Sequence, residues 1–220
     1  AGRSGLGAPA APIGTTPGAV TATAGSGGVF ITETDGASFS ATATGAGPVG
    51  LASTTGTLTI AGTTSTGTGP IAITGGAIAQ NANLTTGGPI TVTTTTGPLT
   101  MAAGSQSTAG GNITYQATGD ITLGSLTSGA AVAVTSTGGS ILDGNATDLN
   151  VSAGASTSLQ AGGAIGTLAD PLDIAVAGLA NVDANGAPSG LSININGTTG
   201  DNTLHFPLTV PGQIFLNGVL

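Results

Sequence analysis

Nine carboxylates and one imidazole are the side chains of this 220-residue chain that could do acid–base chemistry, since it has no cysteine and a single basic residue, Arg3. The acids are Glu33, Asp35, Asp120, Asp143, Asp148, Asp170, Asp173, Asp183 and Asp201. Cleaving a glycosidic bond needs two carboxylates facing each other across it. Asp143 with Asp148, and Asp170 with Asp173, are the pairs close enough in sequence to meet. Polysaccharide lyases and pectinases built on stacked strands gather such acids with Lys, Arg or His on one face. Here the basic half of that cluster is missing, and no acid lies between Asp35 and Asp120. The acids are therefore expected at turns, where Asp accepts hydrogen bonds from nearby amides. No catalytic residue is assigned.

His205 has no second His and no Cys with which to hold a metal, so no metal-binding or cofactor-binding residue is assigned either. Calcium is the weaker option, because Asp and Asn corners with backbone carbonyls can bind it. The Gly-Gly-x-Gly-x-Asp nonapeptide of calcium-binding solenoids is absent. There is no phosphate-cradling loop and no dinucleotide fingerprint. Asn83, Asn112, Asn145, Asn150 and Asn196 stand in Asn-x-Ser/Thr sequons, as chance alone produces in a Thr-rich chain. Thr crowds two stretches, Thr54, Thr55, Thr57 and Thr59, then Thr91, Thr93 to Thr96 and Thr100. A flat Thr-x-Thr array can order water, as in some ice-binding proteins. Thr also simply favours exposed strand positions.

Charge narrows the partners. The net charge is −8, and with so little positive charge the chain cannot displace counterions from nucleic-acid phosphates or attract anionic head groups. No apolar run is long enough to span a membrane. The N-terminus has no basic region followed by an apolar stretch, so any targeting segment is expected to lie outside this sequence.

These residues must be positioned by a chain with 41 Gly, 39% hydrophobic and only 5% charged residues, four Phe, one Tyr and no Trp. Such a chain has to bury many small side chains in a thin core, which short stacked strands do. A motif recurs: Gly56-Thr57-Leu58-Thr59-Ile60, Gly69-Pro70-Ile71-Ala72-Ile73, Gly88-Pro89-Ile90-Thr91-Val92 and Gly97-Pro98-Leu99-Thr100-Met101. Apolar–polar alternation with β-branched residues is a strand signal, and Gly, Pro, Asn and Asp punctuate it as turns. Taken two strands at a time the period is close to 20: from Val29 to Val49 and from Ile121 to Ile141 it is 20, and from Ile71 to Ile90 it is 19.

The fold expected is an all-β parallel β-helix, a solenoid of about 20 residues and two main strands per coil. About ten coils at the inter-strand spacing make a rod of roughly 50 Å. Antiparallel β-sandwich modules are the alternative. The expected core is Ile71, Ile73, Ile90, Val92, Leu99, Met101, Ile113, Ile121, Leu123, Val132, Val134, Ile141, Leu149 and Val151.

Residues 1–27 read as an irregular linker or N-terminal cap, 28–162 as regular coils, and 163–220 as an irregular coil followed by apolar strands. Leu172 to Leu179 reads as an irregular coil or short helix. The end of the sequence is apolar without charge, and solenoid ends must be covered. Leu204, Phe206, Leu208, Val210, Ile214, Phe215, Leu216, Val219 and Leu220 are therefore assigned to an assembly interface, pairing head-to-tail with another copy or with further coils of a longer chain.

The ordered set Gly111-Asn112-Ile113-Thr114, Gly119-Asp120-Ile121-Thr122-Leu123, Gly139-Ser140-Ile141-Leu142-Asp143-Gly144 and Gly163-Ala164-Ile165-Gly166 leading to Asp170-Pro171-Leu172 resembles the filamentous-haemagglutinin-like adhesins, the large repetitive exoproteins of bacteria. The resemblance spans roughly residues 28–195. It implies a right-handed parallel β-helix, export, and a role in adhesion or surface assembly. The function expected is thus a non-catalytic, extracellular structural or adhesive repeat protein that forms or decorates a bacterial surface fibre or layer. Its expected partners are other copies of itself and a glycan or host surface, with no nucleic acid and no membrane span. Ice binding through the Thr rows is the first alternative. A polysaccharide-binding or polysaccharide-cleaving β-helix is the second.

Overall fold

The computed structural model describes residues 5–15, 18–177, 180–184, 191–195, 204–205 and 214–217, with side-chain surroundings described up to Ala175 and at Ala177. Among these residues every element is a strand, and the strands pair in parallel with their equivalents in the adjacent coils. The chain is a β-solenoid with a period of roughly 20 residues.

One wall stacks ten strands among the described residues. They are Ile13–Thr15, Val29–Glu33, Val49–Ser53, Ile71–Gly75, Ile90–Thr94, Ile113–Ala117, Val132–Ser136, Thr157–Ala161, Ala180–Ala184 and Leu204–His205. Their register places Val29, Val49, Ile71, Ile90, Ile113 and Val132 in one inward column, each at most 1% exposed. Burying a side chain of this size is worth roughly 1.5–3 kcal/mol, and the ladder satisfies the peptide groups between the columns. Val49 N donates to Pro70 O at 2.9 Å and Ile71 N to Pro89 O at 3.0 Å, so each coil hangs from the next.

The rest of each coil changes along the rod. Ser38–Ala43 pairs over its whole length with Ala19–Ala24 in the coil before. In the coil after, it splits: its first half lies under Thr57–Ile60 and its second under Thr64–Ser65. Gly62 occupies the new corner, where an added Cβ would come within 2.8 Å of the Ser40 side chain. From there on, a second wall runs through Ala77–Gln80, Leu99–Met101, Ile121–Leu123 and Ile141–Asp143. A third runs through Leu84–Thr86, Gln106–Ala109, Ser125–Ser128, Val151–Ala153, Leu172–Val176, Leu191–Ile195 and Ile214–Asn217. The middle coils thus carry three strands where the sequence period suggests two main ones. The strands escaping the pattern are the short ones of the third wall, because Thr64 and Ser107 fill their inward positions where a hydrophobe is expected.

The coils continue past residue 163: Leu172–Val176 is a strand on Val151–Ala153, in place of the irregular coil or short helix expected there. At the other end, Ile13–Thr15 and Ala19–Ala24 are strands within the segment read as a linker or cap. Of the expected core, Leu149 alone is not buried. The longer loop after Asp143 turns the chain so that Asn150, 0% exposed, enters the interior in its place.

Glycine is dictated where the coils touch. Gly45, Gly67, Gly87, Gly110, Gly129 and Gly154 succeed one another at one corner, each against its predecessor. A Cβ on Gly67, Gly110 or Gly154 would sit 2.3, 2.5 or 2.5 Å from the carbonyl oxygen of Gly45, Gly87 or Gly129. A side chain at any of these three would push adjacent coils apart.

Candidate functional site

The chemistry-bearing residues fall into separate places rather than one cleft. Asp120 acts across coils: its Oδ1 accepts from Ser140 N at 2.7 Å. Asn83 does the same for Gln106 N, and Asn112 for Ala131 N, at 2.9 and 3.2 Å. These corner side chains bracket neighbouring coils, the turn role expected of such residues extended from local amides to the amide above.

Asp143 stands at the end of the second wall, in register with the inward positions of Gln80, Met101 and Leu123. Its Oδ1 accepts from Asn145 N at 2.7 Å and from Asn150 Nδ2 at 2.7 Å. Asn150 Nδ2 also reaches Leu123 O and Gly124 O, at 3.2 and 3.3 Å, while its Oδ1 accepts from Asp173 N at 2.8 Å. Asn150 therefore holds together the two coils that flank its own, and its burial removes it as a glycan acceptor in the folded chain. Asp170 is exposed; partial burial and the negative charge of Asp143 together raise its carboxyl above the ordinary value. The structure thus couples Asp143 to Asp170 and ties Asp173 to Asn150, while Asp148 lies exposed on the loop. Among the described residues no group of three or more His, Asp or Glu is placed to hold a metal ion.

That loop walls a groove of about 560 Å³ on the outside of the third wall. Gln106, Ser125, Thr127 and Ser152 form its floor, and Thr147 and Asp148 its rim. Two floor residues, Thr127 and Ser152, belong to a longer outward column in register with Ser65, Thr85 and Thr108, continuing Thr42 below. Every member carries a hydroxyl. Such a lane can exchange hydrogen bonds with a neutral, hydroxyl-rich ligand. The Thr runs of the sequence scatter instead: Thr91 and Thr93 point outward, Thr94 inward, and Thr95 and Thr96 hydrogen-bond Gly75 O and Gly76 O of the coil before. The outward Thr-x-Thr pairs Thr21 and Thr23, Thr57 and Thr59, and Thr91 and Thr93 do not stack on one another.

Two polar features escaped the sequence. Gln80, Ser107 and Tyr115, one from each wall, meet in the core. Tyr115 Oη donates to Gln80 Oε1, Gln80 Nε2 donates to Ser107 Oγ, and the two hydroxyls are 2.6 Å apart. Burial pushes the Tyr115 hydroxyl well above its ordinary value, against the pull of its Ser107 and Gln80 partners. Glu33 is the second, a carboxylate 1% exposed at the end of a first-wall strand. Its Oε2 accepts from the amides of Asp35 and Gly36. Burial raises its pKa, but hydrogen bonding, chiefly from the Gly36 amide and also from the Thr34 and Asp35 amides, brings it below the ordinary value. Its Oε1 has no partner, as do the buried Thr15 Oγ1, Asp143 Oδ2 and Thr157 Oγ1. A charge at an inward position breaks the alternation, which is the sequence signal that could have pointed to Glu33.

Of the residues assigned to an assembly interface, Leu204, Ile214, Phe215 and Leu216 lie on strands that continue the first and third walls, Leu204 beside Ala180 and Phe215 beside Ser192. Phe206, Leu208, Val210, Val219 and Leu220 lie outside the described residues, as do Asp201 and Asn196. His205 is placed by its backbone alone, opposite Asn181. Among the described residues no helix is long and apolar enough to cross a membrane. Comparison with protein-family models, curated proteins and solved structures finds no match.

Proposed function

We propose that this chain is a non-catalytic structural or adhesive rod, exported by a bacterium to form or decorate a surface fibre or layer in the manner of the filamentous-haemagglutinin-like adhesins. The observation that carries the reading is the set of periodic outer faces of the stacked strands, whose outward, solvent-exposed positions with described side chains are uncharged, the exposed acids lying at turns and loops. On the first wall one outward column reads Gly50, Ala72, Thr91, Thr114, Ala133 and Ser158. A repeated neutral surface suits weak, multiplied contacts along a length rather than one converging site. The hydroxyl lane and groove of the third wall are where a neutral glycan of a partner surface would lie. Growth proceeds head-to-tail through residues 204–220, either to another copy or to further coils of a longer chain.

Electron microscopy of the purified chain tests the assembly: filaments are expected, and deleting residues 204–220 should yield soluble monomers whose central coils stay folded. Unchanged filaments after that deletion would overturn it. Cleavage of any polysaccharide in a panel, abolished by Asp143→Asn or Asp170→Asn, would replace the reading with an enzymatic one. Ice binding has the hydroxyl lane in its favour, and thermal hysteresis lost on changing Thr108 and Thr127 to Lys would select it.

A further inference from the structure

We propose that the first corner of the solenoid, where Thr15 stacks on Glu33, binds a hard divalent cation of the calcium class that pins the N-terminal coil to the rod. Thr15 and Glu33 are register partners on adjacent coils. Each keeps a buried oxygen, Oγ1 and Oε1, with no hydrogen-bond partner, so the two do not bond each other either. Buried polar atoms left this way call for a water or an ion.

The same corner in later coils is built differently. Its occupants are all neutral: Gly75, Ala117 and Ala161 carry no polar group, and the hydroxyls of Ser53, Thr94 and Ser136 reach the carbonyls of Thr55, Gly97 and Gly119. Glu33 alone among the members of this column with described side chains carries a carboxylate. One oxygen takes over the amide-capping role toward Asp35 and Gly36, and the other is left over.

Charge and size favour an ion over water. A buried carboxylate is expensive unless it is neutralised. The chain offers only Arg3 and His205 as cationic side chains, and Asp35, whose amide donates to Glu33 Oε2, adds a second carboxylate two residues on, at the exposed side of the corner. Two oxygens sharing one calcium ion at about 2.3–2.6 Å each stand up to about 5 Å apart. Strands in register are separated by about 4.8 Å, so the corner spacing matches. The set is two carboxylates and a hydroxyl, and such ions complete their shell with backbone carbonyls and water.

The test titrates calcium chloride into the chelator-treated full chain by isothermal calorimetry and follows its melting temperature. One binding site and a raised melting temperature are expected. Glu33→Gln should abolish both, and Thr15→Val should raise Kd by roughly tenfold or more. Because Glu33 is buried, Asp35→Asn, at an exposed position, provides a variant that keeps the core intact, and it should weaken binding too. Asp143→Asn and Arg3→Ala should leave the affinity unchanged. Absence of binding by the wild-type chain means that water fills the corner and overturns the proposal. Binding that persists in Glu33→Gln, or that is lost in Asp143→Asn, places the ion elsewhere and overturns it equally. Affinity that rises in Arg3→Ala would make the guanidinium the occupant instead.

Discussion

Tyr115 and Gln80, 35 residues apart in the chain and on different walls, are joined by a 2.6 Å hydrogen bond from Tyr115 Oη to Gln80 Oε1. Ser107 closes the ring, so no polar atom of the three is left over. Tyr115→Phe keeps the ring packed but takes from Gln80 Oε1 and Ser107 Oγ their 2.6 Å partner, leaving only the longer bonds the two make with each other. Unfolding free energy should fall by about 1–3 kcal/mol, and Tm by roughly 2–4 °C for each of those. Replacing Gln80 and Tyr115 together by Leu and Phe should recover part of the loss. Chemical denaturation of the single and double variants measures both effects.

The same hydroxyl sets an alkaline limit. Its pKa is raised in the folded chain above the ordinary value of 10.0. Above that pH the unfolded chain releases the proton while the folded chain keeps it. Tyr115 therefore costs nothing below pH 10 and erodes stability as pH rises beyond it, by about 1.4 kcal/mol per unit. Denaturant midpoints measured across the alkaline range should bend downward in the wild type, and the bend should be absent in Tyr115→Phe.

Gly110→Ala places a methyl group 2.5 Å from Gly87 O, an approach that backbone must relieve by shifting. Overpacking of this kind costs about 1–3 kcal/mol. Gly14→Ala, on an exposed strand with nothing within 4 Å, is the control and should stay within about 0.5 kcal/mol of wild type. Equal melting temperatures for the two variants would refute the steric account of the glycine column.

Ile121 is fully buried between Leu99 and Ile141 of the adjoining coils. Ile121→Asp buries a charge beside no cation and should cost several kcal/mol, measured as a large drop in thermal midpoint. A wild-type melt would mean that the register of the second wall is wrong.

Asn150→Ala removes the side chain that meets Asp143, Asn145, Leu123 and Gly124 at once. Faster hydrogen exchange is expected at Asn145 and Asp173, whose amides are bound by Asp143 and Asn150, with the coils around Ile90 unchanged.

How much of this the sequence carries depends on the wall. The first wall is legible because five-residue strands such as Ile90–Thr94 show two inward hydrophobes, enough to reveal period two, and the stacking period follows from their recurrence. The second wall is legible through Leu99, Ile121 and Ile141. The third is not: in Gln106–Ala109 the inward positions are Ser and Ala, which read as loop composition. Ser107 is inward because Gln80 and Tyr115 wait for it across the core, and no local pattern encodes a partner on another wall. Leu149 misleads for a related reason, since three of the hydrogen bonds that hold Asn150 inward, with Leu123 O, Gly124 O and Asp173 N, reach other coils. Asp120 is legible as a corner residue, yet the coil it pins is visible only once the stacking is known. For the orphaned oxygen of Glu33, nothing short of the stacked corner could reveal it.

The hydrogen bonds between coils, such as Val49 N to Pro70 O and Ile71 N to Pro89 O, join one coil to the next along the stack. Tension applied between the two ends of the rod therefore meets the coil interfaces in series, and the rungs of one interface alone share it at any moment. Rupture force is then fixed by the weakest interface, so added coils increase reach without increasing strength. Each interface that yields frees a loop of roughly 20 residues, which spends pulling energy as extension. Loaded end to end, the rod behaves as a ratcheted shock absorber that lengthens coil by coil before it lets go.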